Sequence, residues 1–319
     1  MLTRSLTATV LAALLVATSI TCDLFNPHAT TRFDTRGSAL DVFARNDTLL
    51  VAAGDSGLLA FDISKPKAPR ELWRIVVTSY CRCVTAENGV AYIGTNAGVV
   101  AYGLAHGTRA QFPCGGTSQV VTGLAVDSTR LYAAASDGVT VFSLAAPDSA
   151  KFVPLAGEPT GLARRDSRLF VSLHDWGVRV FNVLPGDSLA LDTLQLGKHN
   201  RAEGVTMSPG GYCIISQGDS GVVVYHSPTP DSVELNGGGG GASQPTYATA
   251  ATDGVRQVYI YEADSSTVVI SNLDERGGAS FGSEMDFAKF TGFTRRICIG
   301  GNGYVYTASG DAGVYIIRE

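Results

Sequence analysis

The stretch Gly54–Ser64, GDSGLLAFDIS, joins a four-residue turn to a short apolar run, and its first four letters return at Gly218 in GDSGVVVYHS. In trypsin-like proteases the letters GDSG surround the nucleophilic serine. Two interpretations therefore compete: Ser56 or Ser220 is a nucleophile, or both belong to a turn that the chain repeats. The rest of the sequence decides between them.

Related turns recur along the chain at a spacing near forty residues. They read GDSG at 54, TNAG at 95, ASDG at 135, HDWG at 174, GDSG at 218, ADSS at 263 and GDAG at 310. Their last residues are Gly57, Gly98, Gly138, Gly177, Gly221, Ser266 and Gly313, which are 41, 40, 39, 44, 45 and 47 residues apart. A period of this length is typical of a repeat fold built from one supersecondary unit.

Each turn lies between two short apolar runs. LLVAA precedes the first turn and LLAF follows it, and the pattern continues to YVYTA and VYII at the last turn. Such β-branched runs are typical of strands buried on both faces, and a turn that ends in glycine indicates a hairpin. Runs such as TGLAV at 122 and ELWRIVV at 71 add a third and a fourth strand. Four antiparallel strands in seven units predict an all-β fold, a seven-bladed β-propeller over residues 31–319.

The two ends of this segment are expected to meet in one blade. The last unit provides three strands, and TTRFDT, from residue 30 to residue 35, has the alternation of a short strand. We expect this N-terminal strand to complete the last blade and close the ring.

A protease site is not expected. Such a site needs a histidine base and an aspartate beside the serine. Ser56 follows only one histidine, His28, and Ala312 replaces the serine in the seventh turn. The serines are therefore predicted to be turn residues, and no catalytic residue is assigned.

The first repeat resembles the LVIVD repeat, a bacterial propeller repeat in which a turn, an apolar strand, Asp and Ser-x-Pro-x-x-Pro follow one another. The matching residues are Gly57, Phe61, Asp62, Ser64, Pro66 and Pro69, and the other six units keep only the hairpin. The resemblance implies a propeller that is exported or attached to the cell surface. It implies no particular activity.

The N-terminus has the layout of an export signal. Residues 1–21 contain an arginine, an apolar run from Val10 to Val16 and then small residues, which predicts a signal peptide. Cys22 occupies the position that bacterial lipoproteins acylate, and residues 22–30 would form a tether, although Ser19 and Thr21 depart from the usual lipobox. A lipid anchor at Cys22 and a plain cleaved signal both remain open. Both predict an exported protein, either a lipoprotein of the cell envelope or a secreted or periplasmic protein.

The composition of the chain limits the classes of binding partner that we expect. Charged residues make up 17% of the chain, its net charge is −5, and no basic stripe suggests nucleic acid. No cofactor is expected. The predicted partner is an unidentified protein or polar ligand, and contact with a membrane is expected only through a lipid anchor at Cys22.

Five cysteines follow the predicted signal: Cys81, Cys83, Cys114, Cys213 and Cys298. In a regular strand the C-x-C pair Cys81 and Cys83 would lie on one face. Buried unpaired thiols, one disulfide of unknown pairing, or a metal site are all compatible with the sequence.

Propellers usually bind where loops gather over the central channel. We expect the innermost strands to begin on that face, and the predicted ligand-binding residues there are Asp41, Arg82, His174, Trp176, His199, Arg201, Glu203 and Arg295. Trp176 would provide a stacking surface, and the arginines would bind an anion.

The leading hypothesis is a binding or scaffolding module. One alternative is an enzyme that acts on a polar or carbohydrate-like substrate through His174, His199 and Glu203. The same three side chains could bind a metal if their loops meet, but their spacing matches no metal-binding motif, so no metal is expected. For the site, the alternative is a surface of solvated, paired charges. For the whole protein, a third class is a purely structural surface protein, which predicts no pocket with convergent polar groups.

Overall fold

The chain folds into antiparallel sheets arranged in a ring. The computed structural model describes residues 31–318, except 108, 197–200, 209–210, 227–245, 252–256, 263–266, 274–278, 281–287 and 290–292. The predicted signal peptide and tether lie outside the described residues.

The strands are numbered in chain order, starting with β1 (Thr31–Phe33). Sheet 1 contains β2 (Asp41–Arg45), β3 (Thr48–Ala52), β4 (Leu58–Asp62) and β5 (Arg70–Ile75). Sheet 2 contains β6 (Cys81–Glu87), β7 (Val90–Thr95), β8 (Gly98–Gly103) and β9 (Arg109–Phe112). Sheet 3 contains β10 (Val121–Val126), β11 (Arg130–Ala135), β12 (Gly138–Ser143) and β13 (Lys151–Pro154), with a 3-10 turn at Pro147–Ser149.

Sheet 4 contains β14 (Pro159–Arg165), β15 (Arg168–Leu173), β16 (Gly177–Leu184) and β17 (Ser188–Leu196). Sheet 5 contains β18 (Gly204–Met207), β19 (Tyr212–Ser216) and β20 (Val222–His226). Sheet 6 contains β21 (Thr246–Ala251), β22 (Gln257–Glu262), β23 (Thr267–Leu273), β24 (Ala279–Ser280) and β25 (Ala288–Lys289). Sheet 7 contains β26 (Arg296–Ile299), β27 (Tyr304–Ala308) and β28 (Val314–Arg318), together with β1.

The first strands of the sheets form the inner wall of the ring. Each packs against the first strand of the next sheet, in the order β2, β6, β10, β14, β18, β21 and β26, and β26 packs against β2. Successive strands of a sheet pair antiparallel and lead away from this wall. The prediction of an all-β propeller is confirmed.

The prediction of seven four-stranded blades is wrong. Six of the sheets contain at least four strands, and sheet 5 has three among the described residues. The segment that would provide its outer strand, residues 227–245, lies outside that part of the chain. In sheet 6 two short strands, β24 and β25, share the outer edge of β23, so this sheet has five strands.

The N-terminal strand completes sheet 7, as predicted. β1 pairs antiparallel with β28, and Arg32 lies opposite Tyr315 in the register. The phenyl ring of Phe33 packs against that of Phe61 in sheet 1, with the ring centroids 4.6 Å apart. The strand therefore joins the last sheet and also contacts the first.

The cores between neighbouring sheets explain why the strands are apolar on both faces. In β3, Leu49 and Val51 pack between sheets 7 and 1, whereas Leu50 and Ala52 pack between sheets 1 and 2. All four side chains are at most 2% exposed. Because neither face of the sheet meets water, the run LLVA has no polar alternation.

The GDSG turn is stabilised by its backbone. The N–H of Ser56 donates to the carbonyl of Ala53 at 3.0 Å, and the N–H of Gly57 donates to the carbonyl of Gly54 at 3.2 Å. Gly57 has a φ of +85°, in the left-handed region that glycine adopts without steric cost. The equivalent Gly98, Gly177, Gly221 and Gly313 also have positive φ, but Gly138 does not, and Ser266 lies outside the described residues.

Turns of this type also bond to the next sheet. Gly54 and Cys81 exchange two backbone hydrogen bonds, of 3.2 and 3.0 Å, which connect sheet 1 to sheet 2. Gly310 and Ala39 do the same at 2.9 Å between sheets 7 and 1. Gly54 has a φ of +57° and Gly310 a φ of +60°. The first glycine of GDSG therefore connects neighbouring sheets.

We expect Gly57→Val to lower the free energy of unfolding by about 3 kcal/mol, because the backbone is left-handed there and a Cβ would lie 2.1 Å from the carbonyl oxygen of Ile75. Ser56→Ala should change it by less than about 0.5 kcal/mol, since the turn needs only the serine backbone. Urea unfolding of both variants measures the difference. Equal effects of the two substitutions would contradict this account of the turn.

Candidate functional site

A polar cavity of about 560 Å³ lies at the mouth of the central channel. Its lining comes from the starts of the first strands and from neighbouring turns, and consists of Leu40, Tyr80, Arg82, Asn96, Thr122, Glu158, Pro159, Thr160, Glu203, Phe293, Arg295 and Arg296. Of the predicted binding residues, Arg82, Glu203 and Arg295 line it directly. The structure therefore has a cavity on the channel face, where ligand binding is predicted. Several of the predicted binding residues do not line it.

β-Bulges at the starts of the first strands expose side chains to this cavity. The pairing register shifts between Cys81 and Cys83 in β6, and a similar shift occurs at Thr122 in β10 and at Thr160 in β14. A bulge leaves one residue unpaired and re-aims its side chain. Arg82 is the residue exposed in this way in sheet 2.

The bulge also corrects the interpretation of the C-x-C pair. Cys81 packs in the core between sheets 1 and 2, whereas Cys83 packs in the core between sheets 2 and 3. Because the extra residue, Arg82, interrupts the strand alternation, the two thiols lie on opposite faces of the sheet. The prediction that they share one face is wrong.

Threonines at two of the bulges connect neighbouring sheets. The hydroxyl of Thr122 donates to the carbonyl of Pro159 at 2.7 Å, and the hydroxyl of Thr160 donates to the carbonyl of Ala202 at 2.7 Å. These bonds run from sheet 3 to sheet 4 and from sheet 4 towards sheet 5. The hydroxyls of these two lining threonines therefore connect the sheets that surround the cavity.

The glycine after each threonine allows the first strands to approach closely. A Cβ on Gly123 would lie 3.2 Å from the Cα of Gly161, and a Cβ on Gly161 would lie 3.6 Å from the Cα of Gly204. The first distance is tighter than an ordinary contact, so a side chain on Gly123 would push β10 and β14 apart, whereas the second is an ordinary van der Waals contact. The repeated Thr-Gly pair therefore has a structural explanation that the sequence did not reveal.

Arg296 lines the cavity and crosses the channel. Its guanidinium donates to the carbonyl of Thr160 at 3.1 Å and to that of Thr122 at 3.4 Å, so sheet 7 is bonded to sheets 3 and 4. The adjacent Arg295 is exposed and lies at the rim. Arg295 is the predicted binding residue. The side chain that spans the channel is Arg296, and the sequence could not distinguish the two.

Asp41 lies beside the channel and interacts with Arg296. Its carboxylate accepts the N–H of Val42 and the N–H of Val84, both at 2.9 Å, and the second bond connects sheet 1 to sheet 2. The surrounding protein removes water and raises the pKa of the carboxyl from 3.8 to about 6, although Arg296 and the two N–H groups oppose the rise. Asp41 is predicted as a ligand residue, but in the structure it bonds neighbouring sheets and does not line the cavity.

Arg82 is held by polar and aromatic groups. Its Nε donates to the side-chain oxygen of Asn96, and its guanidinium lies 5.7 Å from the centre of the Tyr80 ring. Tyr80 in turn packs close to Gly54, where a Cβ would lie 2.9 Å from the ring. The GDSG turn of sheet 1 therefore helps to position Arg82.

Arg201, Glu203 and His174 form a second polar group at the same mouth. The Nε of Arg201 pairs with Oε1 of Glu203, and Nε2 of His174 lies 3.6 Å from the same oxygen. Nδ1 of His174 contacts Oδ1 of Asp175 at 3.0 Å. Three of the predicted residues thus come together, but Arg201 is engaged by Glu203 and is less available to a ligand anion than we predicted.

Two predicted residues do not join this group. Trp176 is 43% exposed, and its carbonyl accepts a hydrogen bond from Gln195 on the outermost strand of sheet 4. Its ring lies beside Gly157, where a Cβ would lie 2.7 Å from it, and Trp176 does not line the cavity, so its stacking role stays a prediction. His199 lies outside the described residues.

The five cysteines are unpaired, and four are buried. Loss of hydration raises the pKa of the Cys114 thiol to about 11 and that of Cys81 to about 12, and it raises those of Cys83, Cys213 and Cys298 further. Thiols in such surroundings stay protonated at neutral pH. Of the alternatives left open by the sequence, the structure supports buried unpaired thiols.

Neither a metal cluster nor a membrane-spanning helix is found in the described residues. No three His, Cys, Asp or Glu side chains there are grouped to hold an ion. Within the same ranges, no helix has the length and apolar character needed to span a bilayer.

Comparison with known proteins supports the fold. No protein-family model and no curated protein matches the chain. Among solved structures it is similar to a chain of the mitotic checkpoint complex, with a TM-score of 0.74 and 13% identity over 91% of this chain and 93% of that one. It is also similar to a catalytically inactive variant of virginiamycin B lyase from Staphylococcus aureus, solved with quinupristin, with a TM-score of 0.71 and 7% identity over 92% of this chain and 99% of that one. The WD40 repeats of RRP9 match with a TM-score of 0.68 and 15% identity over 91% of this chain and 97% of that one.

We expect Asp41 to make stability depend on pH. The pKa of its carboxyl is raised in the folded state, so its stabilising contribution is complete below about pH 4 and is lost as the pH rises through about 6. The stability of the wild type relative to Asp41→Asn should therefore fall by about 2 kcal/mol between pH 4 and pH 7. Urea unfolding at each pH measures this difference.

Asp55→Asn is the matched control, because Asp55 is an exposed aspartate in the first turn. A difference between wild type and Asp41→Asn that is constant or increases with pH would contradict the assigned surroundings of Asp41.

Proposed function

We propose that the protein is an exported binding module whose channel-mouth cavity takes up a polar ligand or a segment of a protein partner. The observation that carries the proposal is the cavity itself, which draws its lining from sheets 1, 2, 3, 4, 5 and 7. Its volume of about 560 Å³ is within the range of small-molecule sites.

The frame around the cavity favours binding because it is assembled without a ligand. Thr122 and Thr160 bond neighbouring sheets, and Arg296 bonds across the channel. A wall that is already ordered loses little conformational entropy when it binds. The cavity therefore has the preorganisation that a recognition site needs.

The similar structures are compatible with both kinds of partner. One is part of a mitotic checkpoint complex, and another was solved with quinupristin. Sequence identities of 13% and 7% support a shared fold only. The ligand of this chain is therefore inferred from its own residues.

Export is proposed on the N-terminal sequence. The apolar run before Cys22, the small residues that follow it and the resemblance of the first repeat to LVIVD proteins all support an exported protein. A lipid anchor at Cys22 would place the propeller at the cell envelope. A cleaved signal without acylation would release it as a secreted or periplasmic protein.

An enzyme that acts on a polar or carbohydrate-like substrate is the second candidate. It is supported by the approach of His174 Nε2 to Glu203 Oε1, at 3.6 Å. An acid–base pair at the edge of a cavity could transfer a proton to or from a substrate. Because Arg201 also engages Glu203, we favour a binding role for this group.

Affinity capture from the parent cell envelope tests the binding role. The bait is the propeller, and it is compared with Arg82→Ala/Arg201→Ala/Glu203→Ala and with the control Arg45→Ala/Arg70→Ala/Glu87→Ala. Both triple variants remove two arginines and one glutamate, but the control residues lie at the far ends of β2, β4–β5 and β6. We expect the first variant to lose the captured species and the control to retain it, with little change in Tm for either.

Retention by the cavity variant, or equal loss by both, would contradict the assignment of the site. The mass of the N-terminus of protein purified from the same envelope tests export: an acylated Cys22 or a cleaved start is expected, and an intact Met1 would contradict it.

A further inference from the structure

We infer that the cavity binds a carboxylate-bearing ligand through an arginine wall, defined as Arg82, Arg295 and Arg296. This inference rests on the proposed binding function and names the chemistry of its ligand. Arginine suits such a role because its planar guanidinium can donate two parallel hydrogen bonds to one carboxylate.

The distribution of ion pairs distinguishes the wall from most other arginines. Nine described arginines have a carboxylate oxygen within 4.0 Å: Arg32, Arg36, Arg45, Arg70, Arg130, Arg164, Arg165, Arg168 and Arg201. Within the described ranges, none of the three wall arginines has one. Three guanidinium groups without such a partner thus converge on a single cavity.

The groups that do contact the wall leave its charge largely uncompensated. Arg82 bonds to the amide oxygen of Asn96, and Arg296 bonds to two backbone carbonyls. Asp41 interacts with Arg296 through space and offsets part of its charge. Arg82 and Arg295 are therefore the two positions with most to gain from a ligand anion.

The acidic groups of the cavity lie across the ring from Arg82 and Arg295, whereas the guanidinium of Arg296 reaches across the channel to the carbonyls of Thr122 and Thr160. The wall belongs to sheets 7 and 2, which flank sheet 1, whereas Glu158 and Glu203 precede the first strands of sheets 4 and 5. Glu203 is already paired with Arg201. A bound carboxylate should consequently point towards sheets 7 and 2, with the neutral or donor groups of the ligand towards Glu158.

Isothermal titration calorimetry with citrate tests the wall, because citrate presents three carboxylates and its trimethyl ester presents none. We expect citrate to bind with 1:1 stoichiometry, the ester to give no heat of binding, and 0.5 M NaCl to weaken the citrate complex. The double variant Arg82→Ala/Arg295→Ala should raise the Kd at least about tenfold. Both substituted side chains are exposed, so folding should be unaffected.

Arg74→Ala/Arg109→Ala is the matched control. Both arginines are exposed on the outer strands of sheets 1 and 2, and neither lines the cavity. This variant has the same net charge as the wall variant and should bind citrate like the wild type. An equal loss of affinity in the control would show a general charge effect and would overturn the inference.

Two further probes separate the sources of the carboxylate. A pentaglutamate peptide is titrated beside pentaglutamine, and either citrate or pentaglutamate binding that depends on the wall supports the inference. Citrate alone indicates a small acid, and pentaglutamate indicates an acidic peptide segment. Absence of binding by both at millimolar concentration overturns the carboxylate assignment.

The outcome is distinguishable from failure of the proposed function. If neither probe binds but the cavity variant still loses the captured partner, the binding role stands and the carboxylate chemistry fails. If citrate binds through the wall but capture is unchanged by the cavity variant, the carboxylate site stands and the partner site lies elsewhere.

Discussion

The bonds between neighbouring sheets are the constraint on which the rest of the molecule depends. A single sheet of this chain is apolar on both faces and cannot be stable alone, so its neighbours must cover it. The cores supply most of the attraction, and directional backbone hydrogen bonds add to the constraint on the relative position of two sheets. The exchange of backbone hydrogen bonds between Gly54 and Cys81, and between Gly310 and Ala39, fixes that position at the face where the channel opens.

The same constraint produces the cavity. Because first strands such as β2, β6 and β18 begin beside a turn of the preceding sheet, the starts of these strands gather around the channel. Bulges there turn Arg82, Thr122 and Thr160 inward. The hydroxyls of Thr122 and Thr160 donate to the backbone carbonyls of Pro159 and Ala202, whereas Arg82 faces the cavity. Structural and recognition roles are thus divided among equivalent positions of the repeat.

Arg296 shows how closely the two roles are connected. It belongs to the sheet that contains both described ends of the chain, and it bonds to the carbonyls of Thr122 and Thr160 on the opposite side. Its charge is partly balanced by Asp41, whose own carboxylate bonds sheet 2. The lining of the cavity and the closure of the ring therefore share residues.

Much of the fold could be predicted because repetition makes local signals agree. The turn glycines at a period near forty residues gave the hairpins, and the run TTRFDT indicated the strand that completes sheet 7. The site was less predictable, because an unpaired residue in a bulge shifts the alternation by one. That shift separates Cys81 from Cys83, and nothing in the sequence shows it.

The sequence also could not predict the direction of two side chains near the channel. Arg295 and Arg296 are chemically identical neighbours, and only the path of β26 determines which one crosses the channel. Trp176 shares its turn with His174, yet His174 contacts Glu203 of the cavity lining, whereas the ring of Trp176 lies beside Gly157. A turn residue can point inward or outward, and sequence spacing does not distinguish the two directions.

A crystal structure with citrate bound tests the central claim most directly, since it reports both the ligand and the frame. The account predicts citrate carboxylates within hydrogen-bond distance of Arg82, Arg295 or Arg296, with the first-strand backbone displaced by less than about 1 Å from the free protein. Citrate bound away from these arginines, or a rearranged ring of first strands, would contradict it.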